Sequence, residues 1–239
     1  KERATNAARQ LLFITFAMSL VIAIACHLFS NQLLGVIFGQ VEPAVMDNAK
    51  KYFFFSAMSY PFIALYDDGA CILRAQENSK LPMQISFVAN GINVALNLIF
   101  VWVLHLGVAG SSAATMIARA FAMVAVLYKL RNPKMKIQLR DYSSIRPEWE
   151  EIKRILHIGV PSGIENGMFQ FGKLAIQSTV SLMGTAAIAA QGMTNIIENL
   201  NGIMSIGMGI GLMTVVGECL GAGEKEEAVY YIKKISIAA

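Results

Sequence analysis

Six apolar stretches, separated by short polar segments, follow one another along the chain. They cover approximately residues 11–38, 52–74, 82–105, 107–129, 155–182 and 186–216. Each is roughly 20 residues or longer, which is the length that a helix needs to cross about 30 Å of hydrocarbon. Because a helix satisfies its backbone hydrogen bonds within one such segment, the pattern predicts an all-α membrane protein with six transmembrane helices.

Composition agrees with this pattern and narrows the possible functions. Hydrophobic residues make up 55% of the chain, charged residues 15%, and the mean hydropathy is +0.52. A soluble domain has about a quarter of its residues charged. The three cysteines and three histidines are scattered, and the sequence has no HExxH, GxSxG or Walker motif. We therefore expect no metal site, no organic cofactor and no enzymatic activity.

Lysine and arginine are concentrated in alternate connections between the predicted helices. Most of the 20 basic residues lie before the first helix, between the second and third, between the fourth and fifth, and after the sixth. The opposite side has Lys50 and Lys51. By the positive-inside rule, both ends of the chain lie in the cytoplasm. The net charge of +4 follows from this asymmetry and does not indicate a nucleic-acid partner.

A long polar segment containing Pro133 and Pro147 divides the chain. We predict that 1–130 is the end of an N-terminal lobe with four transmembrane helices and that 131–153 is a cytoplasmic linker. Residues 154–239 are then the start of a C-terminal lobe, with two transmembrane helices and the beginning of a third. The sequence KERA at 1–4 is similar to KEEA at 225–228. This similarity suggests an internal repeat of the kind found in secondary transporters.

Charged residues inside the predicted helices are the strongest functional signal, because each costs at least about 2.5–3.5 kcal/mol at a helix centre. The six are Asp67, Asp68, Arg119, Glu165, Lys173 and Glu198. Burial favours the protonated form of a carboxylic acid, so the four acids are candidates for ion coupling. The structural alternative is that they pair with the two basic residues. Glu165 is the preferred candidate, because its position predicts a location near the middle of the membrane.

Polar side chains repeat with helical spacing on three of the predicted helices. Asn90, Asn93 and Asn97 share one face of the third helix. A second set in the fifth helix consists of Glu165, Asn166, Gln170 and Gln177, and a third set in the sixth consists of Asn195, Glu198, Asn199 and Gly202. These sets predict the walls of a polar cavity. Amide side chains can equally connect neighbouring helices by hydrogen bonds.

Five stretches, in order, resemble motifs of the multidrug and toxic compound extrusion (MATE) transporters. They lie at 73–83 (LRAQENSKLPM), 97–119, 158–163 (IGVPSG), 184–190 (GTAAIAA) and 207–223. The first is similar to the family's LRxxG(D/N)xKxPM turn, and the last ends in a sequence similar to VGQxLGAG. The resemblance covers nearly the whole chain. It implies helices three to eight of a twelve-helix transporter with two lobes around a central cavity.

The resemblance implies a secondary active antiporter that exports organic cations, drugs or toxic metabolites in exchange for H⁺ or Na⁺ by alternating access. The expected partners are a small amphipathic cation and membrane lipids, with the complete protein a monomer in the cell membrane. The coupling ion takes the place of a cofactor. Two alternatives stay open: a lipid-linked oligosaccharide flippase of the wider MATE-like superfamily, and a membrane-embedded enzyme or receptor.

The chain departs from the ion sites of two branches of that family. In one branch the position of Asn97 has an aspartate, in a cluster with residues that match Asn93 and Thr115. In the other a glutamate stands where this chain has Gln170. Neither site is reproduced, so the candidates for ion coupling or for the substrate cavity form a wider set. They are Glu165, Gln170, Glu198, Asn90, Asn93, Asn97, Thr115, Asp67 and Asp68.

Overall fold

A computed structural model of the chain describes residues 2–38, 42–132, 137 and 148–238. All secondary structure within these ranges is helical, which confirms the predicted all-α class. The helices are α1 (Glu2–Leu28), α2 (Ser30–Phe38), α3 (Pro43–Met58), α4 (Tyr60–Arg74), α5 (Lys80–Asn97), α6 (Gly107–Leu130), α7 (Trp149–Ser181), α8 (Thr185–Ala222) and α9 (Lys225–Ala238).

Four helical segments of the described residues are long and apolar enough to cross a membrane. They are Ala4–Leu28, Lys80–Val103, Gly107–Leu130 and Thr185–Ala222. The predicted span at 52–74 is divided between α3 and α4, so neither part reaches that length. The predicted span at 155–182 lies in the 33-residue α7, in which Glu165, Lys173 and several amides lower the hydropathy. The predicted number of six spans is therefore approximate.

The break between α3 and α4 lies at Ser59 and has a local cause. Pro61 stands in the first turn of α4 and has no backbone N–H with which to continue the ladder of α3. The Ser59 N–H still donates to the carbonyls of Phe55 and Ser56, at 3.1 and 3.0 Å. The Ser59 hydroxyl donates to the Ser56 carbonyl at 2.7 Å. The helix is therefore interrupted at a point where a polar side chain is buried.

A π-helical turn, Leu98–Val103, follows α5 directly. Its wider winding places the Leu104 N–H 3.0 Å from the Ile99 carbonyl, five residues earlier. The chain then reverses into α6 through His105 and Gly107, which both have positive φ, 52° and 56°. This reversal lays α6 antiparallel against α5, so that polar residues of the two helices face each other.

The helices α1, α4, α5 and α6 share an apolar core. Its buried members are Ala8, Leu12, Ile72, Leu73, Ile85, Ala89, Ala122, Val126 and Leu130. Gly69 of α4 lies directly against Val126 of α6, where a Cβ atom would collide with a valine methyl group. The absence of a side chain at this position lets the two helices approach closely, as small residues commonly do in membrane proteins.

The connection between α4 and α5 contains the first sequence motif. Glu77 has φ of 64°, a left-handed conformation that glycine adopts without strain, and the family motif has glycine at this position. The Asn78 side chain accepts a hydrogen bond from the Leu81 N–H at 3.3 Å at the start of α5. The buried Gln76 accepts a hydrogen bond from the N–H of Ile137 at 3.0 Å. This turn thus contacts the polar segment that follows α6.

The contacts divide the chain into two compact units, Lys1–Leu182 and Met183–Ala239. In the first unit, the hydroxyls of Ser178 and Ser181 on α7 donate to the carbonyls of Val36 and Ile37 at the end of α2, each at 3.3 Å. The second unit consists of α8 and α9 packed together after a turn at Gly223, which has φ of 86°. The lobe boundaries 1–130, 131–153 and 154–239 stay predictions, since most of the linker lies outside the described residues.

Replacing Gly69 with valine tests the close approach of α4 and α6. Gly69→Val is expected to destabilise the complete protein by about 1–3 kcal/mol, because overpacking forces the helices apart. Gly91→Val is the matched control on α5, where nothing lies within 4 Å of an added Cβ. Thermal unfolding in detergent measures both, and equal losses in the two variants would contradict this packing.

Position 77 tests the strained turn. Glu77→Gly is expected to be more stable than Glu77→Ala by about 1 kcal/mol, because alanine retains the cost of a positive φ and glycine does not. The pair removes the same carboxylate, so its loss does not affect the comparison. Thermal unfolding in detergent gives the difference, and alanine at least as stable as glycine would rule out a left-handed residue here.

Candidate functional site

A cavity of about 300 Å³ lies between α4, α5 and α6. A volume of this size is at the lower end of the range for small-ligand sites in proteins. Of the residues predicted from the sequence, Asp67, Asn90, Asn93 and Thr115 line it. The complete lining is Ile63, Tyr66, Asp67, Ser86, Ala89, Asn90, Asn93, Thr115, Ala118, Arg119 and Ala122.

Helical periodicity explains why these polar groups meet. Ser86, Asn90 and Asn93 stand at i, i+4 and i+7 of α5, so they lie on one face of that helix. Thr115 and Arg119 are one turn apart on α6 and share a face in the same way. Ala118 and Ala122 of α6 also line the cavity, and their small side chains leave space in it.

Asn93 connects α5 to α6 by a short chain of hydrogen bonds. Its amide donates to the Thr115 hydroxyl at 3.2 Å, and that hydroxyl donates to the Ser111 carbonyl at 3.0 Å. The Asn97 amide donates to the backbone carbonyl and side-chain oxygen of Asn93, at 2.9 and 3.1 Å. Asn97 lines a neighbouring groove beside Trp102. The structure therefore brings Asn93, Asn97 and Thr115 together, and these amides both link helices and border a cavity.

Arg119 connects the cavity to the break between α3 and α4. One of its terminal nitrogens donates to the Ser59 hydroxyl at 2.5 Å. Since that hydroxyl donates its own proton to the Ser56 carbonyl, its lone pairs are available to the guanidinium. Ser59 is 1% exposed, so this contact lies in the protein interior. The charge of Arg119 is therefore held at one wall of the cavity by a buried hydroxyl.

Asp67 carries the opposite charge into the same cavity. Its carboxylate interacts electrostatically with Arg74, the last residue of α4, and with Arg119 of α6. Neither Asp67 nor Arg119 forms a direct ion pair in the part of the chain that the structure describes. The cavity thus has an acid and a base that face it from two helices without touching each other.

Asp68, the next residue, faces a different neighbour. Its side chain hydrogen-bonds to Thr15 of α1. Its Oδ2 atom is buried and has no hydrogen-bond partner among the described residues. Adjacent positions on a helix point about 100° apart, so the two aspartates serve different surfaces. Asp68 does not line the cavity that contains Asp67.

The candidates on α7 lie elsewhere in the first unit. Glu165 and Gln170 are exposed and are not among the lining residues of the cavity between α4 and α6. Lys173, on the same helix, stacks over the Phe169 ring, with 5.1 Å from Nζ to the ring centroid. The role of Glu165 in ion coupling stays a prediction.

The second unit, taken by itself, has Glu198 on α8 as an exposed residue. On the same helix, the Gln191 amide lies 3.5 Å from the Asn195 side-chain oxygen. Asn195 of the predicted stripe therefore contacts a residue outside that stripe. Across the described residues of both units, no group of three or more His, Cys, Asp or Glu could hold a metal ion.

The site includes three residues that the sequence pattern did not predict there, Ser59, Tyr66 and Ser86. Arg119 was predicted as an intramembrane charge and not as part of a cavity. Ser86 could have been found, since it precedes Asn90 by one turn on the same face. For Ser59, the only indication in the sequence was the nearby Pro61, which suggests a helix interruption. Its contact with Arg119 joins residues 60 positions apart and depends on the packing of α6 against the helix break.

Comparison with known proteins identifies similar sequences. The family model MatE matches residues 1–99 and 161–239. The probable multidrug resistance protein NorM of Thermotoga maritima is 26% identical over 205 residues, which are 83% of this chain and 43% of that protein. The multidrug and toxin extrusion protein 1 of Oryctolagus cuniculus is 28% identical over 218 residues, 88% of this chain and 38% of that protein. The chain spans about half the length of such relatives or less.

Solved structures have the same arrangement of helices. A MOP superfamily transporter from Pyrococcus furiosus is 25% identical, with a TM-score of 0.80 over all of this chain and 54% of that one. A MATE protein in the bent conformation has a TM-score of 0.76 at 22% identity, over 98% of this chain and 57% of that one. The predicted all-α fold of a MATE-type transporter is thereby confirmed.

The link between Asn93 and Thr115 predicts a difference between two substitutions. Thr115→Val removes the acceptor for the Asn93 amide at nearly constant shape, whereas Thr115→Ser retains it. The valine variant is expected to lose about 0.6 kcal/mol more stability, the average for such bonds in a membrane protein. Thermal unfolding of the complete protein in detergent checks this, and a valine variant as stable as the serine variant would argue against the bond.

Proposed function

Because this chain belongs to the MatE family, we propose that it forms part of a secondary active antiporter that exports organic cations, drugs or toxic metabolites in exchange for H⁺ or Na⁺. Members of this family are transport proteins and not enzymes, which agrees with the class expected from the motifs. Similar proteins from Thermotoga maritima and Oryctolagus cuniculus are named for multidrug resistance and for multidrug and toxin extrusion.

The observation that carries the proposal is the polar cavity between α4, α5 and α6. It places Asp67, Asn90 and Asn93 together within helices that are mostly apolar. Groups of this kind are expensive in a membrane and commonly mark the pathway of a substrate or an ion. A carboxylate there can attract a cationic substrate, while the amides orient it by hydrogen bonds.

Asp67 supplies a direct way to couple transport to an ion gradient. A carboxylate that accepts either an organic cation or the coupling ion binds each at the expense of the other. Such competition is a coupling free energy between two ligands and is reciprocal. Entry of H⁺ or Na⁺ down its gradient then releases the exported cation. In this proposal Asp67 performs the exchange, while Glu165, Glu198 and Asp68 are further candidates outside the cavity.

Alternating access follows from the two-lobed architecture. The predicted lobes meet across a central cavity, and their rocking exposes the bound substrate to one side of the membrane and then to the other. We propose that the linker at 131–153 is the hinge. The complete protein is proposed to act as a monomer in the cell membrane, surrounded by lipids. Both ends of this chain are proposed to face the cytoplasm.

Gradient-driven transport in proteoliposomes tests the proposed function. The complete wild-type protein is expected to move a fluorescent quinolinium cation when a pH or Na⁺ gradient is imposed. Asp67→Asn is expected to reduce this transport at least about tenfold, because the amide cannot exchange the coupling ion for the cation. Asp47→Asn is the matched control, because Asp47 is an exposed carboxylate on α3 that does not line the cavity, and this variant is expected to retain most of the transport. Glu165→Gln tests the sequence-based candidate in the same assay.

Each outcome assigns the coupling residue. Loss in Glu165→Gln with normal transport in Asp67→Asn would move coupling to α7. Normal transport in both would place coupling at Glu198, at Asp68 or in other parts of the protein. Wild-type vesicles that move no cation under either gradient would refute the antiporter and favour the flippase.

A further inference from the structure

The cavity between α4, α5 and α6 contains a permanent positive charge that export of simple cations does not require. We infer that Arg119 forms a subsite for an oxyanion, a carboxylate or sulfonate group, so that the preferred substrate is a small zwitterion. Its cationic group would lie near Asp67 and its anionic group at the guanidinium. This inference rests on the proposed function and specifies the substrate class of the same cavity.

A guanidinium group inside a membrane protein costs free energy unless its charge is compensated. Arginine stays protonated at any ordinary pH, so Arg119 cannot remove its charge by losing a proton. A charged side chain in a membrane normally pairs with another group or faces a cavity. Among the described residues its hydrogen-bond partner is the neutral Ser59 hydroxyl, which does not neutralise it. The charge is therefore only partly compensated when the cavity is empty.

The acidic and the basic side chain of the cavity are separated from each other. Asp67 and Arg119 line the same cavity and interact electrostatically, but they do not form an ion pair within the described residues. Asp67 also interacts electrostatically with Arg74, the last residue of α4. If the two residues served only to neutralise each other, direct contact would be the better arrangement. A gap between opposite charges instead suits a molecule with a cation at one end and an anion at the other.

The guanidinium group of Arg119 is suited to binding an oxyanion. Its planar fork matches the geometry of carboxylate and similar oxyanions and can bind them by two parallel hydrogen bonds. The bond to Ser59 uses one terminal nitrogen and fixes the orientation of the side chain. Asn90 and Asn93 line the same cavity, and their amide groups are of a type that can donate to an oxyanion. The cavity volume of about 300 Å³ suits a single-ring or two-ring molecule.

A matched pair of fluorescent probes tests the subsite. The zwitterion 6-methoxy-N-(3-sulfopropyl)quinolinium and the cation 6-methoxy-N-ethylquinolinium share one fluorophore. Their N-substituents differ by one methylene and by the sulfonate, which only the first has. Binding to the complete protein in detergent is followed by fluorescence anisotropy. We expect wild type to bind the zwitterion about 10- to 100-fold more tightly, as a hydrogen-bonded charge pair implies.

Variants separate charge recognition from structure. Arg119→Gln is expected to abolish the preference by weakening the zwitterion and not the cation, whereas Arg119→Lys retains part of the preference through its charge. Asp67→Asn is expected to weaken both probes. Thermal unfolding of each variant in detergent accompanies the binding curves, so that a folding defect is recognised.

Three outcomes would overturn the subsite. Equal binding of the two probes by wild type would do so, as would equal weakening of both probes in Arg119→Gln. In either case, gradient-driven transport of the ethyl compound would leave the antiporter intact. If wild type bound neither probe and transported neither, both the subsite and the proposed function would fail.

Discussion

The close approach of α4 and α6 is the constraint on which the site depends. Gly69 of α4 has no side chain, so Val126 of α6 can pack directly against its backbone. Arg119 lies two turns before Val126 on α6, Asp67 lies two residues before Gly69 on α4, and both line the cavity between these closely packed helices. In a membrane, where lipid is as apolar as the side chains, helix association relies on this kind of fit. A larger residue at position 69 would therefore disturb both the packing and the distance between the charges.

The second feature of this region is the interruption between α3 and α4, which ends one helix and also contacts Arg119. Pro61 ends the ladder of α3, and Ser59 fills the break with a hydroxyl that accepts a hydrogen bond from Arg119. Irregular backbone at membrane depth is tolerated where protein covers it or where it borders a cavity. Here both conditions hold, since Ser59 is buried and its partner lines the cavity. The interruption therefore fixes the orientation of the charged group that we assign to substrate binding.

The amides of α5 show why structural and functional roles need not exclude each other. Asn93 bonds to Thr115 and accepts from Asn97, which is the behaviour of an interhelical link. It also borders the cavity together with Asn90. Because the link holds the Asn93 side chain in one orientation, a bound molecule would meet a polar group that is already in position. Preorganisation of this kind reduces the entropy lost on binding.

The sequence by itself determined the class of fold, since long apolar stretches in a chain with few charges can satisfy their backbone groups only as helices. It also determined the shared face of Asn90, Asn93 and Asn97, because helical periodicity is local. Only the tertiary structure decided that Asp67 enters the cavity while Asp68 turns to α1, and that Arg119 reaches Ser59. These facts depend on the rotation of each helix and on contacts between distant residues. A charged residue within an apolar stretch indicates that its side chain needs a polar partner. Only the packing of the helices determines which residue that partner is.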